Sequence, residues 1–296
     1  MKNNIMISIV LPVYNGERYL DESIGSCIAQ THQNFELLII DDKSTDGSLA
    51  IARNWAQRDT RIKIIHNEKN LKLPSSLNRG FEEAKGDYFT WTSDDNFYEP
   101  CALSKMLESI YDVDFVYSHY WILDENKNKK TRERPPKLYC QNIFIINIIG
   151  ACFLYKAEIH KAVQGYSPNL LLYEDYDFWL KAYTTGFKFK LVNEFLYTYR
   201  IHPNSLSSTM GAVKIEEGSY RLSVYYALKA QKRNPSKWTL PALEALLYRH
   251  NFFTSEEFKA YVVAMYKTMP LKFIMYLPLA IWKCFIIYLR RILGIV

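Results

Sequence analysis

Ile5-Met6-Ile7-Ser8-Ile9-Val10-Leu11, running straight into Pro12-Val13-Tyr14-Asn15-Gly16, decides the fold. A nearly unbroken apolar run ended by turn residues suits a strand covered on both faces, the parallel kind. A helix is expected over 17–29, with Leu20, Ile24, Cys27 and Ile28 on one face. The alternation then repeats. Strands are expected over 35–40, 62–66, 87–91 and 113–117, and helices over 48–57, 74–84 and about 100–110. Pro74 opens the third helix and Gly86 follows its end, the usual asymmetry of helix termini. Such alternation means α/β: an open, mostly parallel sheet flanked by helices.

The second half is less regular. A short strand at 121–123 leads to the polar turn Asp124-Glu125-Asn126-Lys127-Asn128, and 129–137, with Pro135-Pro136, reads as an exposed loop. A strand over 150–155, a helix over 174–183 closed by Gly186 and paired strands within 187–199 follow. Helical periodicity dominates from about 219. The expected division is a catalytic domain over 1–208 and a helical C-terminal region over 209–296.

Composition narrows the function. The 296 residues are 49% hydrophobic and 23% charged, a globular balance. Five scattered cysteines without a CxxC pair indicate neither a disulfide framework nor a zinc site. No secretory leader is read before the first strand, and a reducing cytosol is the expected compartment. From Lys229 onward there are 11 Lys/Arg against 3 Glu and no Asp, a net +8, which leaves −2 for the residues before it. A mildly acidic front half is no nucleic-acid surface. The basic end is also apolar, with runs over 273–282 and 284–289 before Arg290-Arg291, which suits the anionic face of a membrane. A single span and a buried helix pair remain alternatives for it.

In open parallel sheets, ligands bind beyond the carboxyl ends of the strands. Three of these ends carry unusual chemistry. After the first strand, Tyr14 is placed to stack on a base. After the second, Asp41-Asp42-Lys43-Ser44-Thr45-Asp46-Gly47-Ser48 offers carboxylates to a base N–H. After the fourth comes Thr92-Ser93-Asp94-Asp95-Asn96. Adjacent carboxylates at the end of a buried strand are costly unless a cation joins them. Hard oxygen ligands suit Mg²⁺ or Mn²⁺, whose shells are completed by substrate phosphates and water. Each loop alone is also ordinary turn chemistry. A nucleotide-diphosphate site with a divalent cation accounts for all three together.

Ser8-Ile9-Val10-Leu11-Pro12-Val13-Tyr14-Asn15-Gly16 and Phe35-Glu36-Leu37-Leu38-Ile39-Ile40-Asp41-Asp42-Lys43-Ser44 closely resemble family 2 glycosyltransferases of the Rossmann-like GT-A fold. Leu73-Pro74-Ser75-Ser76-Leu77-Asn78-Arg79-Gly80-Phe81, Glu174-Asp175-Tyr176-Asp177-Phe178-Trp179 and Tyr199-Arg200-Ile201-His202-Pro203 continue the match, which covers about 5–208. The resemblance implies a nucleotide-sugar donor, most often a UDP-sugar, and transfer with inversion. By position Pro12 and Tyr14 line the base and Asp42 takes the uracil imide N–H; Asn78 is read as either a nucleotide-donor contact or a turn cap, and Arg79 as a phosphate partner. Asp94-Asp95 holds the place of the metal-binding motif, with Asp95 as direct ligand and Asp94 either on the ribose or behind the metal's direct ligands. Thr92 departs from the family's usual Asp there. Asp175 is the implied general base with Glu174 beside it, although either carboxylate would also serve as a helix cap. His202 is the implied late metal or diphosphate contact, and Lys72 and Arg200 are further phosphate candidates.

The expected function is therefore an inverting, metal-dependent glycosyltransferase, peripheral on the cytoplasmic face of the cell membrane. Its acceptor would be a lipid-linked or surface glycan, and a homo-oligomer is compatible with the chain. Two other readings stand beside it. One is a sugar nucleotidyltransferase, although its Gly-rich basic loop is missing after the first strand. The other is a non-catalytic nucleotide-sugar-binding scaffold.

Overall fold

The computed structural model of the chain describes residues 5–135, 142–145, 147–209 and 212–233. The chain divides into two compact units, one of Met1–Leu138 with Asn147–Ile215, the other of Tyr139–Ile146 with Glu216–Val296. In the first unit β1 (Ile7–Val13), α1 (Glu17–Ile28), β2 (Phe35–Asp41), α2 (Ser48–Arg58), β3 (Ile62–His66), α3 (Leu73–Glu83) and β4 (Tyr88–Trp91) alternate as expected. β5 (Phe97–Tyr98), α4 (Ala102–Ser109), β6 (Phe115–Asp124) and β7 (Lys129–Glu133) follow. The short α5 (Asn142–Ile145) belongs to the second unit. The first unit resumes with β8 (Phe153–Lys156), α6 (Ala157–Val163), α7 (Glu174–Thr185), β9 (Phe189–Ile201) and α8 (Leu206–Thr209). α9 (Ala212–Arg233) carries the chain past the division. The expected membrane-facing tail lies outside the described residues. Among those described, no helix is long and apolar enough to cross a membrane.

One sheet runs β3-β2-β1-β4-β8-β6-β9-β5, with β7 paired to β6. β1 pairs in parallel with β2 and β4, and β2 with β3. The sheet is mixed beyond β4, because β8 is antiparallel to both β4 and β6. Two reversals restore direction, so β6 points the same way as β4, and β9 is parallel to β6. Hence β1, β2, β4, β6 and β9 all deliver their carboxyl ends to one rim. The order turns back at β1, where β2 and β4 leave on opposite sides, and this opens a crevice at that rim.

Burial follows the strand period. Ile7, Ile9, Leu11 and Val13 of β1 join Leu37 and Ile39 of β2 and Leu20, Ile24 and Cys27 of α1 in one buried cluster. Val10 looks the other way, toward α3: a Cβ on Gly80 would stand 2.5 Å from its Cγ1. Every residue of β1 and β2 is buried, as a two-faced strand requires.

Three expectations need correction. The strands expected over 113–117 and 121–123 are one continuous strand, β6. Residues 129–133 form strand β7, not a loop, pairing from Tyr120↔Glu133 to Asp124↔Lys129. Its residues are polar, and the partner strand, not its own hydrophobicity, makes it extended. Residues 189–201 form one long strand, not a pair. Its register against β6 shifts between Ser118 and Trp121, and the irregularity breaks the alternation that reads as two strands.

Candidate active site

The rim carries a cleft of about 610 Å³ lined by Pro12, Tyr14, Asp42, Asp94, Asp95, Glu174, Asp175 and His202. Asn78 and Arg79 are not among its lining residues. Asn78 instead pairs with the main chain of Tyr166, donating to its carbonyl at 2.8 Å and accepting its N–H at 2.8 Å. Arg79 Nη1 donates to Asn67 Oδ1 at 2.6 Å.

The turn after β1 is pinned to the loop after β2. Gly16 N–H donates to Ser48 Oγ at 2.9 Å, and Thr45 N–H donates to Asn15 Oδ1 at 2.8 Å. Asn15 takes a left-handed φ of 55°, which asparagine tolerates. Tyr14 between them is 51% exposed, an aromatic face presented to the cleft.

Asp42 is buried and held from three sides. Asn67 Nδ2 and Leu71 N–H donate to its Oδ1 at 2.8 and 2.7 Å, and Lys72 N–H donates to its Oδ2 at 2.9 Å. A carboxylate has about four acceptor positions, so Oδ2 keeps one for a ligand N–H. Lys72 reaches its place at φ 69° and ψ 162°, a region almost confined to glycine. Asn67, fully buried and braced by Arg79, is a supporting residue the sequence reading missed. Its partners lie 25 and 12 positions away, so no local pattern marks it.

Beyond β4, Thr92 turns inward. Its hydroxyl shares a 2.6 Å hydrogen bond with the buried Tyr197 OH. The family's first acidic position is thus taken into the core here, away from the cleft. Asp94 packs on Gly16 so tightly that a Cβ there would lie 2.6 Å from its Cγ. Burial first, and then the neighbouring Asp95 charge, push the Asp94 carboxyl up to about 7, with the Tyr14 amide offsetting part. Asp95 is raised too, chiefly by burial and against the pull of His202. Its Oδ2 meets His202 Nε2 at 3.1 Å, while Oδ1 is sealed from solvent with no hydrogen-bond partner.

An orphaned, buried carboxylate oxygen beside a second crowded carboxylate and a histidine fits a divalent cation. Among the described residues no group of three or more His, Cys, Asp or Glu is arranged to hold one. Asp95 and His202 would therefore be the protein ligands, with donor phosphates and water completing the shell.

The third group stands at the start of α7. Tyr173 at the N-cap position makes no side-chain capping bond, and the Glu174 carboxylate takes backbone N–H groups of Leu172, Tyr173 and Glu174 at the helix start. Burial pushes the Glu174 carboxyl up to about 7. Burial and then the Glu174 charge hold Asp175 well above the carboxylate range. Glu174 Oε2 and Asp175 Oδ1 are both buried without a well-formed hydrogen bond, and the indole of Trp91, another cleft residue, stands close enough to Asp175 to offset part of its upward shift. Asp177 is differently placed, committed to Ser167 Oγ and Lys181 Nζ at 2.7 Å each.

Arg200 is not free for phosphate: its Nη1 pairs with Glu125 at 2.6 Å, its Nη2 with Glu22, and its Nε donates to the Asp95 carbonyl at 2.9 Å. Lys72 lines the cleft.

The crevice at the turning point of a Rossmann-like sheet thus brings Tyr14, Asp42, the Asp95–His202 pair and the Glu174–Asp175 pair to one rim, the setting of a group-transfer enzyme. The profile of Glycosyl transferase family 2 matches residues 8–167. An uncharacterized glycosyltransferase of Methanocaldococcus jannaschii is 31% identical over 239 residues, 77% of this chain and 80% of that one. The putative teichuronic acid biosynthesis glycosyltransferase TuaG of Bacillus subtilis is 28% identical over 207 residues, 69% of this chain and 82% of that one. Among solved structures, S. aureus TarS 1-349 in complex with UDP-GlcNAc aligns at TM-score 0.68 and 17% identity, over 89% of this chain and 80% of that one. The mannosyltransferase PcManGT of Pyrobaculum calidifontis, in complex with GDP-Man and Mn²⁺, aligns at TM-score 0.60 and 14% identity, over 90% and 75%. The chain belongs to family 2 of the glycosyltransferases and has the GT-A fold.

Proposed function

We propose that this enzyme transfers a sugar, with inversion, from a UDP-sugar to a hydroxyl of a lipid-linked or surface glycan at the cytoplasmic face of the membrane. A divalent cation, Mn²⁺ or Mg²⁺, assists. The observation that carries the reading is the pairing of two orphaned carboxylate groups in one cleft, Asp95 with His202 and Asp175 with Glu174. Asp95 and His202 would hold the cation, whose charge when bound would neutralise the departing diphosphate. Tyr14 stacks on the uracil and Asp42 Oδ2 accepts its imide N–H. Asp175 takes the proton of the acceptor hydroxyl as the new bond to the anomeric carbon forms and the bond to the diphosphate breaks. Burial and the Glu174 charge raise the proton affinity of this carboxyl, which makes it the stronger base once it is ionised. The UDP-GlcNAc and Mn²⁺ complexes of the structural neighbours support donor and cation. The teichuronic acid biosynthesis in TuaG's description and the basic apolar C-terminal sequence support the acceptor and the membrane face.

Two measurements test the proposal. UDP titrated by calorimetry should bind more tightly with Mn²⁺ than with EDTA, and Asp95→Ala should remove the difference. Asp175→Asn should keep donor binding while cutting transfer by about 10²-fold or more. Equal UDP affinity with and without EDTA refutes the cation, and transfer within a few-fold of wild type refutes the base.

A further inference from the structure

Arg200 lies beneath the cleft, its side chain only 7% exposed, with every arm of its guanidinium engaged. Nε donates to the main-chain carbonyl of Asp95 at 2.9 Å. Nη1 pairs with Glu125 at 2.6 Å, in the turn between β6 and β7, and Nη2 pairs with Glu22 on α1. Its backbone N–H donates to Asn96 Oδ1 at 2.7 Å, one residue beyond Asp95. The plane of the fork lies 4.4 Å over the ring of Tyr19. That ring packs 4.9 Å from the ring of His202, and its hydroxyl donates to Glu125 Oε2 at 2.5 Å. One side chain thus touches the backbone of one candidate cation ligand and, through a single aromatic ring, the imidazole of the other.

We propose that Arg200 is a positioning residue for the cation site, fixing the Asp95 main chain and the His202 ring against each other so that the Asp95–His202 pair keeps its geometry at the cleft. The inference rests on the cation reading of Asp95 and His202. A buried ion pair alone would need only charge, and lysine supplies that. Holding a carbonyl, two carboxylates and a ring face at once needs a planar, five-donor fork. The arrangement also ties the cation loop to the β6–β7 turn, so a shift of that turn reaches Asp95 through one residue.

The experiment is calorimetric titration of UDP into the full chain, with excess Mn²⁺ and with EDTA, together with thermal melting. Arg200→Lys keeps the charge and loses the fork. It should lower UDP affinity in Mn²⁺ by about tenfold, the scale of a lost charged hydrogen bond. Affinity in EDTA, which reads the uridine contacts at Tyr14 and Asp42, should stay within about twofold. A merely structural arginine lowers both affinities together with the melting temperature. Glu125→Gln, which slackens the fork without emptying its place, guards against misfolding of the lysine variant and should lower affinity in Mn²⁺ alone by about threefold. Glu22 is 53% exposed and, unlike Glu125, does not hold the Tyr19 hydroxyl, so Glu22→Gln should leave the Mn²⁺ increment unchanged. An unaltered Mn²⁺ increment in Arg200→Lys or Glu125→Gln, or an equal fall with EDTA, overturns the inference. A wild-type protein with no Mn²⁺ increment overturns the cation reading itself, so the two failures are told apart.

Discussion

Gly16→Ala is a small change that should act on the carboxylate packed against it, that of Asp94. At φ −104° and ψ 15° the backbone of Gly16 is open to alanine, so no main-chain strain is introduced. The cost is contact. An added Cβ would lie 2.6 Å from Asp94 Cγ and 2.9 Å from its Cβ, and closer still to Oδ2. Real Cβ atoms do not approach so near, so Asp94 must turn away or α1 must shift. Overpacking of this kind costs about 1–3 kcal/mol. Exchanging glycine for alanine at the helix N-cap position adds roughly 0.5–1 kcal/mol of its own. A double-mutant cycle separates the two contributions. In an Asp94→Gly background the collision vanishes and only the capping loss remains, so the coupling energy should be about 1–3 kcal/mol. Urea denaturation of the four proteins measures it. UDP calorimetry on the same set should show Gly16→Ala binding the donor as poorly as Asp94→Gly does. Additivity within about 0.5 kcal/mol would refute the packing argument.

Three further outcomes follow from the site. Thr92→Asp, which restores the more common acidic residue, should destabilise by about 3 kcal/mol or more in urea, because the new charge is buried against Tyr197; it should gain no Mn²⁺ affinity, and a gain would show that position 92 reaches the cleft. Asn67→Ala removes a donor from Asp42 and the partner of Arg79, and should cost about 1–3 kcal/mol of stability and weaken UDP equally with and without Mn²⁺. Glu174→Gln concerns pH. Burial holds this carboxyl at about 7 against 4.5 when unfolded, so the folded protein binds the extra proton between those values and loses stability as pH rises through them. Denaturation at pH 5 and pH 8 should show a smaller loss in the glutamine variant than in wild type, the Asp175 contribution persisting, and an identical loss in both would remove Glu174 as its source.

Where local pattern and tertiary structure agree, the sequence is legible. β1 and β2 carry apolar runs covered on both faces, and α1 and α3 carry an apolar stripe with clear ends, so their bounds differ from expectation by one or two residues. β5 has two residues and α6 seven, too few for a period to show, and both escaped the reading. β7, Lys-Lys-Thr-Arg-Glu, is a strand because β6 offers it an edge, which no property of those five residues reveals. The cleft residues that touch open space, Tyr14, Asp42, Asp94, Asp95, Glu174, Asp175 and His202, stand in compact motifs and could be named in advance. Their supports could not. Tyr19 and Glu125 are 106 positions apart, and Arg200 and Glu22 are 178 apart. Asn78 and Arg79 share a motif with donor-binding segments, yet on α3 their side chains meet Tyr166 and Asn67.

The same long reach has a consequence for the birth of the enzyme on the ribosome. Asp95 emerges with the first alternating elements, but Arg200 and His202, which brace it, are 105 and 107 residues downstream. At about 5–20 residues per second, that gap lasts roughly 5–20 s. Through this interval the nascent chain holds the loops that would contact uridine while Asp95 lacks its braces. A chain released early, after α4 for example, would retain the loops that meet uridine yet lack both Asp175 and the histidine beside Asp95. Premature termination would then yield a fragment unable to complete transfer, so the position of the braces late in the chain keeps activity coupled to complete synthesis of the first unit.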